Sequence, residues 1–141
     1  MKQSTLKKES SIPISKLKKK LLENVKFLVR TSGPCIAAGQ GRKSCGGNMQ
    51  ASHIKSEGAH KNLFVDPDNI FPMCYVHHLM WWHKDVTEAS RWFYKTYTNQ
   101  AKYLDKNIKK HIDWTPQKIE VLLNACKDGL EAYRKAYKEI T

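Results

Sequence analysis

Near the start of the chain, apolar residues recur every three to four positions over residues 15–30, which is the spacing of an amphipathic helix. Ser15 is a suitable N-cap, and the following segment Ser32-Gly33-Pro34 is of a kind that ends helices. The pattern therefore predicts a helix from Ser15 to about Arg30. Its apolar face consists of Leu17, Leu21, Val25, Leu28 and Val29.

In the middle of the chain the apolar pattern changes to alternation, which is typical of short strands. Residues 49–54 form one predicted strand and residues 69–73 the other. The polar residues 55–68 between them contain a glycine and a proline, as a hairpin loop does. The glycine-rich segment before the first strand is predicted to be loop, and a helix should begin near Cys74.

Helical spacing returns in the last third of the chain. A helix capped by Thr87 should follow Asp85, and the helical pattern continues over residues 99–112. Thr115 followed by Pro116 is a strong helix start, because proline suits the first turn. The buried face of this last helix is predicted to contain Ile119, Leu122, Leu123, Cys126 and Leu130.

These elements predict an α+β protein with a basic N-terminal helix, a core of two strands and a helix, and a helical C-terminal extension. Its 141 residues suffice for one modest domain. We divide the chain into a flexible basic tail (residues 1–14), a domain (15–98) and a helical extension packed on that domain (99–141).

Charge adds an expected partner to this architecture. The net charge is +12, and residues 1–30 carry nine Lys/Arg against two Glu, a net of +7. A basic N-terminal arm is typical of proteins that bind polyanions, although a solvated helix face has the same composition. No apolar run is long enough to span a bilayer and no signal peptide is evident, so we expect no membrane and a reducing cytoplasmic location. In that compartment, cysteines are metal ligands or free thiols more often than disulfides.

Four residues have the chemistry of a structural zinc site. Cys74 and His77 form a well-spaced ligand pair, and Cys35 with Cys45 forms a wider one whose intervening glycines allow the loop to fold back. The alternative is three buried thiols and a core histidine without a metal. Cys126 lies on an apolar helix face and is predicted to be a core residue.

A second set of polar residues has the chemistry of phosphodiester cleavage. That reaction needs a base to activate water and a cation to neutralise charge that develops on the phosphate. His53 suits the first role, Asn69 on the partner strand is placed to orient it, and His78 at the start of the helix is placed to hold Mg²⁺ or Mn²⁺. Each also has an ordinary interpretation, as a core histidine, a turn residue and a surface residue.

The run from Gln50 to His78, which contains Ser52-His53-Ile54, Asp68-Asn69-Ile70 and Cys74-Tyr75-Val76-His77-His78, resembles the ββα-metal core of HNH endonucleases. The resemblance covers roughly residues 26–98 and extends to phage-encoded recombination nucleases of the NinG/Rap type. It implies a zinc-stabilised core, a structural zinc ion, a catalytic Mg²⁺ or Mn²⁺, and DNA as substrate in the cytoplasm of an infected host cell. By the same resemblance, His53 matches the general base, Asn69 the middle asparagine and His78 the metal-binding histidine.

The sequence departs from the family pattern at three positions. Ala38 stands where the second knuckle cysteine is usual, so Cys45 has to substitute for it. His77 stands where cysteine is commoner, which zinc tolerates. Ser52 precedes the base where many members carry a second cation ligand, and serine is a weak ligand. His83 follows His78 by five residues, about 140° round an ideal helix, and is predicted to be a structural or phosphate contact.

Contacts to DNA are expected from basic side chains and to be independent of sequence. The predicted set, besides His83, is Lys19, Lys20, Arg42, Lys43, Lys55 and Lys61. The aromatic residues between Trp81 and Tyr97 are interpreted as core, with base stacking as the alternative. Two other functions stay open: a non-catalytic zinc-containing nucleic-acid-binding module, and an interaction factor that uses residues 87–141 to bind a phage protein. A homodimer is a further alternative.

Overall fold

The computed structural model describes residues 12–141, and its first element is helix α1, Ile14–Arg30. Of the predicted basic tail, residues 1–14, the first eleven residues lie outside the described residues. Ile14, the last residue of that predicted tail, already belongs to α1. The helix follows Pro13, whose side chain makes no capping hydrogen bond, so the predicted Ser15 cap is wrong by two residues. Its apolar face is buried through Leu17, Leu21, Leu22, Val25 and Val29.

A two-stranded antiparallel sheet follows, with strand β1 at Met49–His53 and strand β2 at Ile70–Cys74. His53 pairs with Ile70, and Met49 pairs with Cys74. Cys74 also caps the next helix, α2 at Tyr75–His77, because its sulfur accepts the His77 backbone N–H at 3.4 Å. The chain continues directly as a π-helical segment, His78–Trp82. Helices and a sheet together confirm the predicted α+β class.

Four further helices complete the fold: α3 at Val86–Thr96, α4 at Thr98–Asn107, α5 at Pro116–Cys126 and α6 at Leu130–Ile140. Thr115 caps α5 as predicted, since its hydroxyl accepts the Lys118 backbone N–H at 3.2 Å. Helix α3 has no side-chain cap hydrogen bond, and Thr87 lies inside the helix, which corrects the predicted cap. The pattern predicted over residues 99–112 ends earlier, at Asn107.

The predicted C-terminal helix is interrupted before Leu130. Helix α5 ends at Cys126, and Gly129, which has a φ of 101°, is the N-cap of the next helix. Leu130 therefore begins α6 instead of extending the face of α5.

Two apolar cores pack against the sheet. The first joins α1 to α5 and α6 and includes Val65 and Ile70. The second joins residues 35–37, the end of β2 and the π-helical segment to α3 and α4. Helix α4 thus belongs to the second core, whereas α5 and α6 pack on α1 in the first.

Three contacts fasten the helical region to the hairpin loop. The Tyr133 hydroxyl donates to the Val65 carbonyl at 2.7 Å, and the Tyr103 hydroxyl donates to the buried Asp66 carboxylate at 2.8 Å. Arg134 pairs with Asp68 at 3.3 Å. These contacts fix the loop segment that supports the histidines described below. Over residues 12–141, no helix is both long and apolar enough to cross a membrane.

Candidate functional site

Cys35, Cys45, Cys74 and His77 converge to form the candidate metal centre, with all four ligand atoms within 4.8 Å of one another. His77 Nδ1 lies 3.2 Å from the sulfur of Cys74, 3.6 Å from that of Cys45 and 3.7 Å from that of Cys35. In a tetrahedral zinc site, a sulfur and a nitrogen ligand lie about 3.5 Å apart. The predicted ligand set is therefore brought together and placed to hold a metal ion.

The surroundings of His77 favour metal binding over a plain core histidine. Its Nε2 lies 3.0 Å from the Gln40 carbonyl, which only accepts, so Nε2 carries the proton and Nδ1 keeps its lone pair for a metal. Burial raises the pKa of the Cys74 thiol, but hydrogen bonds from the backbone at His77 and Gly46 outweigh burial and lower the pKa to about 6. A thiolate is the form that ligates metals.

The loop that carries Cys35 and Cys45 folds back because of its glycines. Gly41 has a φ of 63° and lies directly under the Trp81 indole, where a Cβ atom would approach Trp81 Nε1 to 2.5 Å. Trp81 in turn packs edge-on against His77, at 6.0 Å between ring centroids. Ala38 is exposed, and Cys45, on the far side of this loop, lies in the cluster. Cys126 is buried in the first core, away from the metal centre.

A separate cleft of about 510 Å³ brings the catalytic candidates His53 and His78 together, with His83 and Lys26 also in its lining. His53 Nε2 lies 2.9 Å from the Phe64 carbonyl, so Nε2 donates and Nδ1 is the free basic atom. Burial lowers the pKa of His53 below its usual value, which keeps the ring neutral at pH 7. A neutral, oriented imidazole is what a general base requires.

His78 and His83 form a pair that the sequence analysis did not expect. His78 Nδ1 lies 2.7 Å from Gln50 Oε1, which leaves its Nε2 unprotonated, and this atom lies 3.1 Å from His83 Nε2. Two nitrogen ligands of one ion, with bonds of about 2.0–2.1 Å, lie about 3.0–3.4 Å apart. Burial, then the charges of His83, His53 and Lys26, lower the pKa of His78 to about 4.

The π-helical segment is the reason for this pairing. The His83 backbone N–H donates to the His78 carbonyl at 3.1 Å, five residues back, so the wider turn brings the two side chains onto one face. The predicted angle of about 140° between His78 and His83 about the helix axis holds for an ideal α-helix and is wrong here. Nothing in the spacing of apolar residues indicates a π-helix.

Asn69 makes no hydrogen bond to the His53 ring, which corrects its expected role. Its amide donates to the carbonyls of Lys55 and Leu63, both at 3.0 Å, and its oxygen accepts the Lys55 backbone N–H at 2.7 Å. Asn69 is fully buried and clamps both ends of the hairpin loop. It therefore acts on His53 indirectly, by holding the loop segment that carries the Phe64 carbonyl.

Ser52 is also placed differently from a cation ligand. The side chain is fully buried, its hydroxyl has no hydrogen-bond partner among the described residues, and it does not line the cleft that contains His53. Adjacent residues of a strand face opposite sides of a sheet. The position before His53 therefore offers nothing to an ion in the cleft.

The basic residues expected to contact DNA differ in their surroundings. The Lys55 ammonium lies 2.7 Å from both the Asp105 carboxylate and the Tyr94 hydroxyl, which compensates its charge. Lys19 and Lys61 line a second cleft beside the one that contains the histidines. The remaining predicted contacts, which line neither of these two clefts, are Lys20, Arg42 and Lys43.

Lys26 is the functional candidate that the sequence analysis missed. It belongs to α1 and reaches the cleft of His53, where its ammonium lies 3.9 Å from the Glu57 carboxylate. The sequence contained only a weak signal, a lysine outside the apolar face of a predicted helix. Which lysine of that helix faces the histidines depends on how α1 packs across the sheet.

No protein-family model matches this chain, and comparisons with curated proteins and with solved structures gave no significant match.

Proposed function

We propose that this protein is a metal-dependent endonuclease of the HNH type that hydrolyses DNA phosphodiester bonds, with zinc in the Cys35, Cys45, Cys74 and His77 centre. One observation carries the proposal: a neutral histidine with a free Nδ1 shares a cleft with two imidazoles whose Nε2 atoms lie 3.1 Å apart. A base beside a cation site is the minimum that phosphodiester hydrolysis requires.

Four side chains of the cleft have a defined part in this reaction. His53 Nδ1 takes a proton from water, and the resulting hydroxide oxygen bonds to phosphorus while the bond to the leaving sugar oxygen breaks. His78 and His83 are the residues that would hold Mg²⁺ or Mn²⁺. When bound, such an ion stabilises the charge on the phosphate and the leaving oxygen. Lys26 adds a positive charge on the α1 side of the cleft.

The proposed zinc centre has a structural part. It joins the loop of residues 35–45 to the start of α2 and so fixes the first turn from which His78 projects. Four protein ligands complete the tetrahedral coordination of zinc, which is the arrangement of structural sites and leaves no position for substrate.

The test is nicking of supercoiled plasmid by zinc-loaded protein in Mg²⁺, in Mn²⁺ and without added divalent ion. His53→Ala should lower the rate by about 10²–10⁴-fold, the usual contribution of a general base. His111→Ala is the matched control, because His111 is exposed and lies outside the histidine cleft. The proposal fails if His53→Ala remains folded and retains the full metal-dependent rate.

Burial of Ser52 favours a second candidate function, a zinc-containing nucleic-acid-binding module without catalysis. The cleft then has one ligand fewer for a catalytic ion, since the residue before His53 faces away. This candidate predicts salt-sensitive DNA binding with no cleavage in any divalent ion, and binding that is unaffected by His53→Ala.

A further inference from the structure

A second cleft, of about 650 Å³, lies along α1 beside the one that contains the histidines. Its volume is in the range of sites that take small molecules or single nucleotides. Leu22 of α1 and Phe64 of the hairpin loop supply its apolar lining. Phe64 is half-buried and packs edge-on against Trp114, with 5.7 Å between ring centroids, so its ring is held in place.

Three lysines surround this apolar lining: Lys18 and Lys19 from α1, and Lys61 from the hairpin loop. Within residues 12–141, none of the three forms a salt bridge. Glu57 is the single carboxylate in the lining, and it faces Lys26 at 3.9 Å. The cleft therefore combines an aromatic ring with uncompensated positive charge, which complements a base attached to a phosphate chain.

Two features connect this cleft to the histidines. Glu57 lines both clefts, so they adjoin each other at this residue. The Phe64 carbonyl accepts the hydrogen bond from His53. Phe64 therefore lines the second cleft with its ring and orients His53 in the first with its carbonyl. A strand whose phosphate lies at His53 can therefore reach the second cleft with a neighbouring nucleotide.

We propose that the second cleft binds an unpaired nucleotide of a DNA strand that passes through the histidine cleft, with the base against Phe64 and the phosphates near Lys18, Lys19 and Lys61. The proposal deepens the endonuclease function and rests on it for the cleavage step. A base inside a duplex is covered by its neighbours on both faces, so only an unpaired base can enter the cleft. The structure thus assigns a preference for single-stranded or locally unpaired DNA.

Binding tests this preference without requiring cleavage. Fluorescence anisotropy would compare a labelled oligothymidylate, the same strand with abasic sites, and a duplex of equal length, without added divalent ion. Wild type should bind the oligothymidylate about tenfold more tightly than the abasic strand, the scale of stacking one base on an aromatic ring. Phe64→Leu keeps an apolar side chain and should remove most of that difference.

Charge is tested separately with a matched pair of lysines. Lys61→Ala should weaken binding of the single strand and reduce the slope of log affinity against log salt by about 0.7, the value for one phosphate contact. Lys102→Ala is the control, because Lys102 is an exposed lysine that lines neither cleft. Zinc content and thermal unfolding would be measured for every variant.

Equal binding of thymidylate and abasic strands by wild type would overturn the proposal, as would equal effects of Lys61→Ala and Lys102→Ala. A base-dependent preference that Phe64→Leu abolishes would support it, even if plasmid nicking fails. In that case the endonuclease function alone would be lost, and the chain would be a single-strand-binding module.

Discussion

Alanine at Gly41 should damage the metal centre far more than alanine at Gly39. Both residues have positive φ angles, 63° and 83°, so either alanine costs about 1–2 kcal/mol of backbone strain. The variants differ in space. A Cβ at Gly41 would lie 2.5 Å from Trp81 Nε1 and 2.7 Å from Cγ, whereas a Cβ at Gly39 meets no atom within 4 Å.

The expected magnitudes follow from that difference. Trp81 is only 1% exposed and cannot move aside freely, and overpacking of a core costs about 1–3 kcal/mol. Gly41→Ala should therefore lower the free energy of unfolding by about 2–5 kcal/mol, against about 1–2 kcal/mol for Gly39→Ala. Gln40, the neighbour of Gly41, holds His77 through its carbonyl, and displacing such a support weakens metal binding by about 10–100-fold.

Urea denaturation at a fixed free zinc concentration would measure the stabilities, because bound metal adds to the apparent free energy of unfolding. Competition with a chromophoric chelator would measure zinc affinity. Equal destabilisation of the two variants, with wild-type zinc affinity in both, would refute the packing of Trp81 against Gly41.

Three further outcomes are expected. Cys45→Ala should lose the bound zinc, whereas the control Cys126→Ala should retain one zinc ion per chain, as measured by atomic absorption. If both variants retain zinc, Cys45 is not a ligand. The cleavage rate should stay level as pH falls from about 8 and decline only below 6.5, since burial lowers the pKa of His53 and the base must be neutral; an acid limb above pH 6.5 would contradict this. Glu57→Gln removes a carboxylate 3.9 Å from a lysine of the cleft and should raise DNA affinity up to about fivefold, while the exposed control Glu120→Gln should leave it unchanged.

Elements with strong local signals were predictable from the sequence. Strand β1 was expected at residues 49–54 and spans Met49–His53, and α5 begins at the Thr115-Pro116 signal. The residues of the candidate metal centre were also predictable, because cysteine and histidine at such spacing are typical zinc ligands. For Cys45, the glycines between it and Cys35 were a sufficient indication that the loop folds back.

The histidine cleft was only half predictable, for two physical reasons. The His78–His83 pair depends on a π-helical turn, and apolar periodicity cannot distinguish such a turn from an α-helix. The contribution of Lys26 depends on tertiary packing, because only the docking of α1 across the sheet decides which lysine faces His53. Asn69 was recognised, but its action through backbone carbonyls of a distant loop segment leaves no local pattern.

The packing of α5 and α6 on α1 has a consequence for biosynthesis. The apolar face of α1 leaves the ribosome early, yet its partners Ile119, Leu122 and Tyr133 are translated about a hundred residues later. Contacts of such long sequence separation form slowly and leave apolar surface uncovered in the meantime. A nascent chain that contains every histidine of the cleft but not yet α5 and α6 therefore leaves part of the apolar face of α1 uncovered.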